Sequence, residues 1–501
     1  MAVLGLIGGW AATASASQNA AGGKHGGTTT TSSSTSSTST TTSTTSTTVP
    51  SSTCTAGSPE ANTPSNGFTC PVLVPGSRGL GEPTIIADNG VGNGGVQRLF
   101  VTGPQGIGTI NSGGGSPLFT STNGGTNWSG PVRAQTCAGL SGGDTDLAVD
   151  SVGDVYQTDL WLANSCLSVS ANHGASFEAG NPFGQELQPG DDRPWLAYDG
   201  TIANGGELFG TYDGVNGLHI INTGPLANPA VGIQAIADNV VIPETAVSSG
   251  GTSSSSVREC VCPPGGVAVD QSTSTHRGRV YVSFSDQLGT AIAYDDPNAL
   301  GTTPTGTWNY TFIPDSKTGS AFEDEWNFAP VAVDSNGVVY VMWAHALGFN
   351  SGTGLAGAGG VQEYYAYSTD GGKTFSAPVL LSTESGTTTF PTMHVVSPGV
   401  IDAAWYGTSA TGDPNTVAST AKWNVYYTRV TGANTTTPSI APKIAVTDIH
   451  NGCIQTGGTA SCSDRSLLDF FTLIDTNGQP DIIYAAGDAT NIPSLYFTKL
   501  P

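Results

Sequence analysis

A pair of short apolar runs, separated by an Asp and a Gly-containing turn, recurs along this chain. One copy reads PVAVDSNGVVYVMWAH, and the copies begin at Pro83, Thr145, Pro194, Gly266, Pro330, Pro391 and Phe471. The runs are short and no long helical apolar period occurs, which indicates β-strands. The copies are 49 to 78 residues apart when counted at one turn position: Asp88, Asp150, Asp199, Asp270, Asp334, Ser397 and Asp475.

A third apolar run follows each pair, as in YYAYS and VYYTR, and in three copies it leads through a shared turn into a fourth run. Four antiparallel strands repeated at this period are typical of propeller blades, which must stack on one another to bury their faces. We therefore predict an all-β propeller of four-stranded blades, with seven blades favoured and six as the alternative. The last copy lacks a fourth strand, and we expect CPVLVPG at residues 70–76 to supply it and close the ring.

The shared turn reads STNGGTNW from Ser121, SANHGASF from Ser170 and STDGGKTF from Ser368. Asp370, or Asn in the other copies, can accept hydrogen bonds from backbone N–H groups of the turn. Gly371 and Gly372 permit positive φ, and Phe375 is expected to pack between strands. We interpret the turn as structural, because it joins the third and fourth strands at the outer edge of the ring.

The first 53 residues differ from the rest in composition. Residues 1–20 contain an apolar stretch and a small-residue ASA site, and we predict a secretory signal peptide there. Residues 21–53 are rich in Ser and Thr and cannot offset their ordering entropy, so we predict a disordered linker. The propeller is then expected to occupy residues 54–501, and no apolar run is long enough to span a bilayer.

Charge and cysteine content narrow the functional classes. The chain has 38 acidic and 15 basic residues, a net charge of −23, which repels phosphate backbones and excludes nucleic acid as a partner. Eight cysteines fit an oxidising compartment, outside the cell or displayed at its surface. Sequence proximity suggests the pairs Cys54/Cys70, Cys137/Cys166 and Cys453/Cys462, with Cys260 and Cys262 left as the least secure pair.

The turns, together with DDRPWLAYD from Asp191, DAAWYG from Asp402 and the tail HNGCIQTGGTASCSDRSLLDFF from His450, resemble the Asp-box (BNR) repeat proteins of the sialidase superfamily. The resemblance covers roughly residues 80–501. Within the superfamily, the sequence is similar to a group of bacterial secreted sialidase-like proteins. It implies glycoside hydrolysis with an arginine triad, a Tyr/Glu nucleophilic pair and an Asp acid/base. Where the family has its first arginine, in R-I-P, this chain has Gly81, Glu82 and Pro83.

Charged and aromatic residues recur where the first strand of a blade begins and the second ends, two points that open on one face around the channel. Charged residues are only 11% of the chain, so this recurrence exceeds background. We select Asp146, Asp192, Glu325 and Tyr406 as catalytic candidates, because carboxyls and tyrosine can serve as acid, base or nucleophile. The candidates for substrate binding, through guanidinium or ring contacts, are Arg193, Arg258, Arg465, Trp161 and Trp326.

Each of these residues could instead bridge blades or cap a loop, and Asp191, Asp192 or the acidic run at 323–325 could bind a structural Ca²⁺ through oxygen atoms. No cofactor is required by any motif present. Three functions follow: hydrolysis of a terminal, anionic sugar, non-catalytic binding of a glycan or protein at the cell surface, and a structural or adhesive role. We favour the first, for a secreted monomer with a glycan or glycoprotein partner.

Overall fold

The computed structural model describes residues 63–501 except 106–113, 135–141, 162–163, 179, 184–191, 215–216, 228–236, 244–250, 253–263, 287–288, 296–307, 315–327, 349, 351–355, 457–461 and 488–491. Within these ranges every regular element is a β-strand. The described residues form no helix that is long and apolar enough to cross a bilayer.

The strands group into antiparallel sheets, each with its first strand innermost. Blade 1 contains β3 (Thr84–Ala87), β4 (Leu99–Thr102), β5 (Pro117–Ser121) and β6 (Ser129–Arg133). Blade 2 contains β7 (Leu147–Val149), β8 (Val155–Trp161), β9 (Asn164–Ser170) and β10 (Asn181–Pro182). Blade 3 contains β11 (Asp192–Asp199), β12 (Glu207–Gly214), β13 (Gly217–Pro225) and β14 (Ala237–Pro243).

Blade 4 contains β16 (Pro264–Val269), β17 (Val280–Asp286), β18 (Gly289–Asp295) and β19 (Asn309–Phe312). Blade 5 contains β20 (Val331–Val333), β21 (Val339–Ala346), β22 (Val361–Ser368) and β23 (Val379–Leu380). Blade 6 contains β24 (Thr387–Ser397), β25 (Val400–Thr408), β26 (Lys422–Thr431) and β27 (Lys443–Asn451). Two short strands extend blades 4 and 6 at their outer edges: β15 (Gly251–Thr252) on β19 and β1 (Thr63–Pro64) on β27.

Blade 7 is built from both ends of the chain. It contains β28 (Thr472–Thr476), β29 (Gln479–Gly487) and β30 (Pro493–Lys499), and its fourth strand is β2 (Val72–Leu73). Val72 pairs with Phe497 and Leu73 with Tyr496, so the predicted closure by residues 70–76 is confirmed. The inner strands contact one another in a closed circle, β3–β7–β11–β16–β20–β24–β28–β3. The fold is therefore a seven-bladed propeller, and the six-bladed alternative is wrong.

The apolar cores lie between neighbouring blades. One cluster, for example, joins Tyr156 and Leu167 of blade 2 to Leu208 and Tyr212 of blade 3, and the cluster that joins blades 6, 7 and 1 includes Trp423. Side chains of the second and third strands alternate between these two neighbours, as the period of a strand requires. The side chains of the inner strands are the ones that reach the axis.

The shared turn has the predicted structural role. Asp370 Oδ1 accepts the Thr374 N–H at 2.9 Å, and Ser368 Oγ accepts the Gly372 N–H at 2.9 Å. The copies at Ser121 and Ser170 make the same two bonds, with Asn123 and Asn172 in place of Asp. Gly125 of the first copy has φ +81°, and a Cβ atom there would overlap the Phe497 ring of blade 7. The turn therefore also packs against the preceding blade.

Cys453 and Cys462 form a disulfide, which confirms one predicted pair. Cys70 and Cys166 each form a disulfide as well. Their predicted partners, Cys54 and Cys137, lie outside the described residues, as do Cys260 and Cys262.

Candidate functional site

The inner strands begin at one end of the axial channel, and we call this end the channel mouth; it is formed by Glu82, Asp144, Asp192, Arg193 and Asp469. Arg193 is its centre and is only 4% exposed. Its Nη2 lies 2.9 Å from Glu82 Oε2 and 3.0 Å from Asp144 Oδ1. Because these residues stand at the start of blades 1, 2 and 3, one guanidinium joins three blades.

Aromatic rings cover the Arg193 guanidinium. Its Cζ lies 4.7 Å from the centroid of Phe328 and 5.0 Å from that of Phe470. Trp195 contacts both rings, with centroids 5.7 Å and 4.9 Å away, and its Nε1 donates to Pro264 O at 2.7 Å. A desolvated guanidinium stacked on aromatic faces is a stabilising arrangement. Residues from blades 3, 5 and 7 thus meet on the axis beneath the carboxylates.

The backbone at the mouth is strained at the ion pair itself. Glu82 has φ 44° and Arg193 has φ 55°, and each is followed by Pro. Non-glycine residues rarely adopt this left-handed region, and such positions are common at functional sites. The pairing of β11 with β12 also shifts register between Asp192 and Trp195. The left-handed backbone of Glu82 and Arg193 therefore costs conformational free energy, which other interactions in the fold must offset.

Among the carboxyl residues of the channel mouth Asp192 is the exposed one, whereas the side chains of Asp144 and Asp469 are 17% and 22% exposed. It hydrogen-bonds to the Asp144 side chain and pairs across the strands with Asp213. The protein packed around it, followed by the Asp144 charge, raises the pKa of Asp192 well above its ordinary value, although Arg193 acts in the opposite direction. Asp144 is bound to Arg193 twice, through Nη2 and through the backbone N–H, which donates to Oδ2 at 3.3 Å. Asp144 and Asp192 therefore lie side by side, and we call them the carboxyl dyad.

Glu82 connects Arg193 to the closing blade. Its Oε1 accepts the Asp469 N–H at 3.1 Å, and the Arg465 guanidinium binds the Asp469 carboxylate. Burial raises the pKa of Glu82 to about 8, while the Arg193 charge lowers it. The two predicted substrate-binding arginines that the structure describes are thus both engaged with carboxylates of the protein.

Asp146 lies deeper in the channel. It borders a cavity of about 210 Å³ whose walls include Trp195, Phe328 and Phe470. Its Oδ2 accepts the Leu196 N–H at 2.8 Å, and burial raises the pKa of Asp146 to about 7. Val331 and Met393 separate this cavity from a second one of about 510 Å³ toward the opposite end. Asp146 therefore faces the axis, as predicted, but beneath the aromatic cluster.

Tyr406 is not placed at the mouth. It is fully buried between blades 6 and 7, stacked on Phe471 with centroids 4.2 Å apart, and its hydroxyl accepts the Ala485 N–H at 3.2 Å. Burial raises the pKa of Tyr406 above its ordinary value. The reason is the strand alternation, which directs second-strand side chains toward neighbouring blades and not toward the axis. The position of Tyr406 gives no support to a nucleophilic role.

Four of the predicted site residues cannot be placed. Arg258, Glu325 and Trp326 lie outside the described residues, and Trp161 is described only as the last residue of β8. Among the described residues, no group of three or more His, Cys, Asp or Glu could hold a metal ion. Of the candidate Ca²⁺ ligands, Asp191 and the run at 323–325 also lie outside that part of the chain.

Sequence reasoning missed Phe328 and Phe470 as site residues. A signal was present, because each stands just before an inner strand, in the same part of the repeat as Trp195. Glu82 and Asp144 also stand just before inner strands, and neither was selected from the sequence as a site residue. Their importance depends on Arg193 reaching across three blades, which a repeat pattern alone does not show.

The sequence matches no protein-family model and no curated protein. Similar solved structures include a protein of unknown function from Dyadobacter fermentans, with 13% identity, a TM-score of 0.40 and coverage of 89% of this chain and 99% of that one. An ulvan lyase of a new polysaccharide lyase family has 10% identity and a TM-score of 0.47, with coverage of 86% of this chain and 96% of that one. A mutant Trypanosoma rangeli sialidase displaying trans-sialidase activity has 11% identity and a TM-score of 0.39, with coverage of 88% of this chain and 60% of that one. At these identities and TM-scores the likenesses do not identify the activity of this chain.

Proposed function

We propose that this chain is a secreted, glycan-active propeller that hydrolyses a terminal sugar at the channel mouth. The observation that supports it is the carboxyl dyad: Asp192, reached by solvent, bonds to Asp144, which Arg193 holds in an ion pair. The raised pKa of Asp192 favours its protonated form, which a general acid requires. Perturbed carboxyls in a concave site are a frequent mark of acid–base catalysis.

In this proposal Asp192 donates its proton to the glycosidic oxygen. The bond from that oxygen to the anomeric carbon breaks, and its electron pair stays on the departing alcohol. Water adds to the anomeric carbon and gives its proton to a carboxylate, so that the products are the free sugar and the alcohol. Phe328 is half-buried and packs against the Arg193 guanidinium, and we propose the exposed part of its ring as a contact for a sugar ring.

The second carboxylate must be a different residue from Asp144. Glycosidase carboxyl pairs are about 5 to 9.5 Å apart, whereas Asp144 and Asp192 are in hydrogen-bond contact. Asp146 is buried under the aromatic cluster, so we propose Glu325, in the segment before blade 5, as the residue that activates water or attacks the sugar. Arg258, Trp161 and Trp326 stay proposals for substrate contacts.

Turnover of a panel of aryl glycosides by the full chain tests this function. We expect D192N to lower kcat by about 100-fold or more, because the proton donor is lost, with an unchanged melting temperature. Asp448 binds the exposed Lys422 on blade 6, so D448N is a matched control that keeps activity. Absence of turnover across the panel, or full activity in D192N, would contradict hydrolysis.

The second candidate is a non-catalytic glycan-binding module at the same mouth. The observation that favours it is that Arg193 and Arg465 are already paired and Tyr406 is buried. This candidate predicts saturable glycan binding with no product formed, and equal binding by D192N. In either case the Cys453–Cys462 disulfide supports a place outside the cell, with residues 1–20 as the signal and 21–53 as a stalk.

A further inference from the structure

The charges at the channel mouth bear on which sugar the site can accept, provided that the proposed function holds. The channel mouth holds four acids, Glu82, Asp144, Asp192 and Asp469, and one guanidinium, Arg193; Asp213 and Arg465 adjoin it, as partners of Asp192 and Asp469. Burial raises the pKa of Glu82 and of Asp192, which favours their uncharged forms. Both guanidiniums bind carboxylates of the protein. The mouth therefore has no surplus of positive charge in the part of the chain that the structure describes.

Arg193 could bind a sugar carboxylate only by giving up its present contacts. Its Nη2 bonds to Glu82 and Asp144, and Phe328 and Phe470 cover the guanidinium. Replacing these partners with a ligand would leave two carboxyls of the protein uncompensated in a buried site, which is strongly unfavourable. The burial of Arg193 is thus evidence against its use as an anion receptor.

With a net charge of −23, the whole protein also repels anions at a distance.

We infer that the mouth accepts a sugar without a carboxylate and uses Arg193 as a positioning residue that fixes Asp144 next to Asp192. The guanidinium holds Asp144 Oδ1 and the backbone N–H of the same residue holds Oδ2, so both oxygens have fixed directions. Asp192 then meets the Asp144 carboxyl at one defined place. The groups facing Asp192 are Asp144, Arg193 and Asp213.

Three substrates with the same ring and leaving group test the charge order: the 4-nitrophenyl glycosides of glucosamine, glucose and glucuronic acid, at pH 6. We expect kcat/KM to be lowest for the glucuronide, by about tenfold or more at low salt, because both described guanidiniums are already paired with carboxyl groups of the protein. The difference should shrink in 1 M NaCl, because screening weakens charge–charge interactions. Equal or faster turnover of the glucuronide would overturn the inference and leave the proposed hydrolysis standing.

If none of the three is hydrolysed, binding of the same sugars by calorimetry gives the charge order directly. A binding order with the anion first also overturns the inference. Absence of both binding and turnover for all three overturns the proposed function and this inference together. The two failures are therefore distinguishable.

The positioning role of Arg193 is tested by pH profiles. We expect R193Q to lower kcat and shift the limb of the pH–rate profile that reports the carboxyl dyad, whereas R193K, which keeps a charge, restores part of both. The control is R429K, since Arg429 binds Asp402 and Asp475 away from the mouth. If R193Q unfolds, E82Q offers the same readout with a neutral isostere. A melting temperature that changes with no shift in the pH limb would assign Arg193 to structure alone.

Discussion

Arg193 Nη2 and Glu82 Oε2 are 2.9 Å apart, although 111 residues separate them along the chain. The contact joins the start of blade 3 to the start of blade 1, and Asp144 of blade 2 shares the same guanidinium nitrogen. The mouth is thus held by a buried ion pair that no single repeat contains. The contribution of this ion pair can be measured both in the free energy of unfolding and in catalytic activity.

We expect Glu82→Ala to lower the free energy of unfolding by about 3 kcal/mol, because it leaves Arg193 buried with one partner fewer. Urea unfolding of the two proteins measures the difference. The control is Lys422→Ala, which removes an exposed pair with Asp448 and should cost less than about 1 kcal/mol. A loss at Glu82 no larger than the control would mean that the ion pair does not stabilise the ring.

Glu363 on β22 gives a prediction for pH. It is fully buried, and neither carboxyl oxygen has a hydrogen-bond partner among the described residues, since the Thr388 hydroxyl donates to Val361 O. Burial raises the pKa of Glu363 to about 8. The folded state therefore holds this proton when the unfolded state has released it.

A pKa raised on folding makes stability fall as the pH rises from the unfolded value, about 4.3, through the folded value. We expect the unfolding free energy of the wild type to fall relative to E363Q by about 5 kcal/mol between pH 4 and pH 9, because the folded and unfolded pKa values differ by nearly four units worth about 1.4 kcal/mol each. Urea unfolding at both pH values gives the difference, and the other carboxyls cancel because both proteins share them. Parallel pH curves for the two proteins would show that Glu363 is not the group responsible.

The shared turn predicts an asymmetry between two substitutions of one residue. Asp370 accepts bonds that Asn accepts in the copies at Asn123 and Asn172, so D370N should change stability by less than about 0.5 kcal/mol. D370A leaves the turn N–H groups without that acceptor and should cost about 1 kcal/mol. Thermal unfolding of both variants is sufficient. Equal losses would indicate that the turn depends on the charge of Asp370 and not on its hydrogen bonds.

The sequence was sufficient for the architecture because the repeat is local. Each copy carries its own strands and its own Asp or Gly turn, so seven blades and the closing strand near Val72 could be predicted from the pattern. The site needed more, because its contacts join residues that are distant in sequence. Tyr406 was selected from its place at a strand end, but the register of β25 directs it between blades. Arg193 was correctly placed near the axis, and its carboxylate partners were not.

The pairing of Val72 and Leu73 with β30 also decides how the ring responds to pulling. Any tension transmitted from the amino-terminal residues reaches the blades first through β1 and β2, two strands of two residues each on the outer edges of blades 6 and 7. Each of these strands pairs over only two residues, so we expect the attachment of β2 to β30, here called the clasp, to yield early under tension. A chain held by its amino-terminal end and dragged by its ligand would open at this clasp before any complete blade unravels.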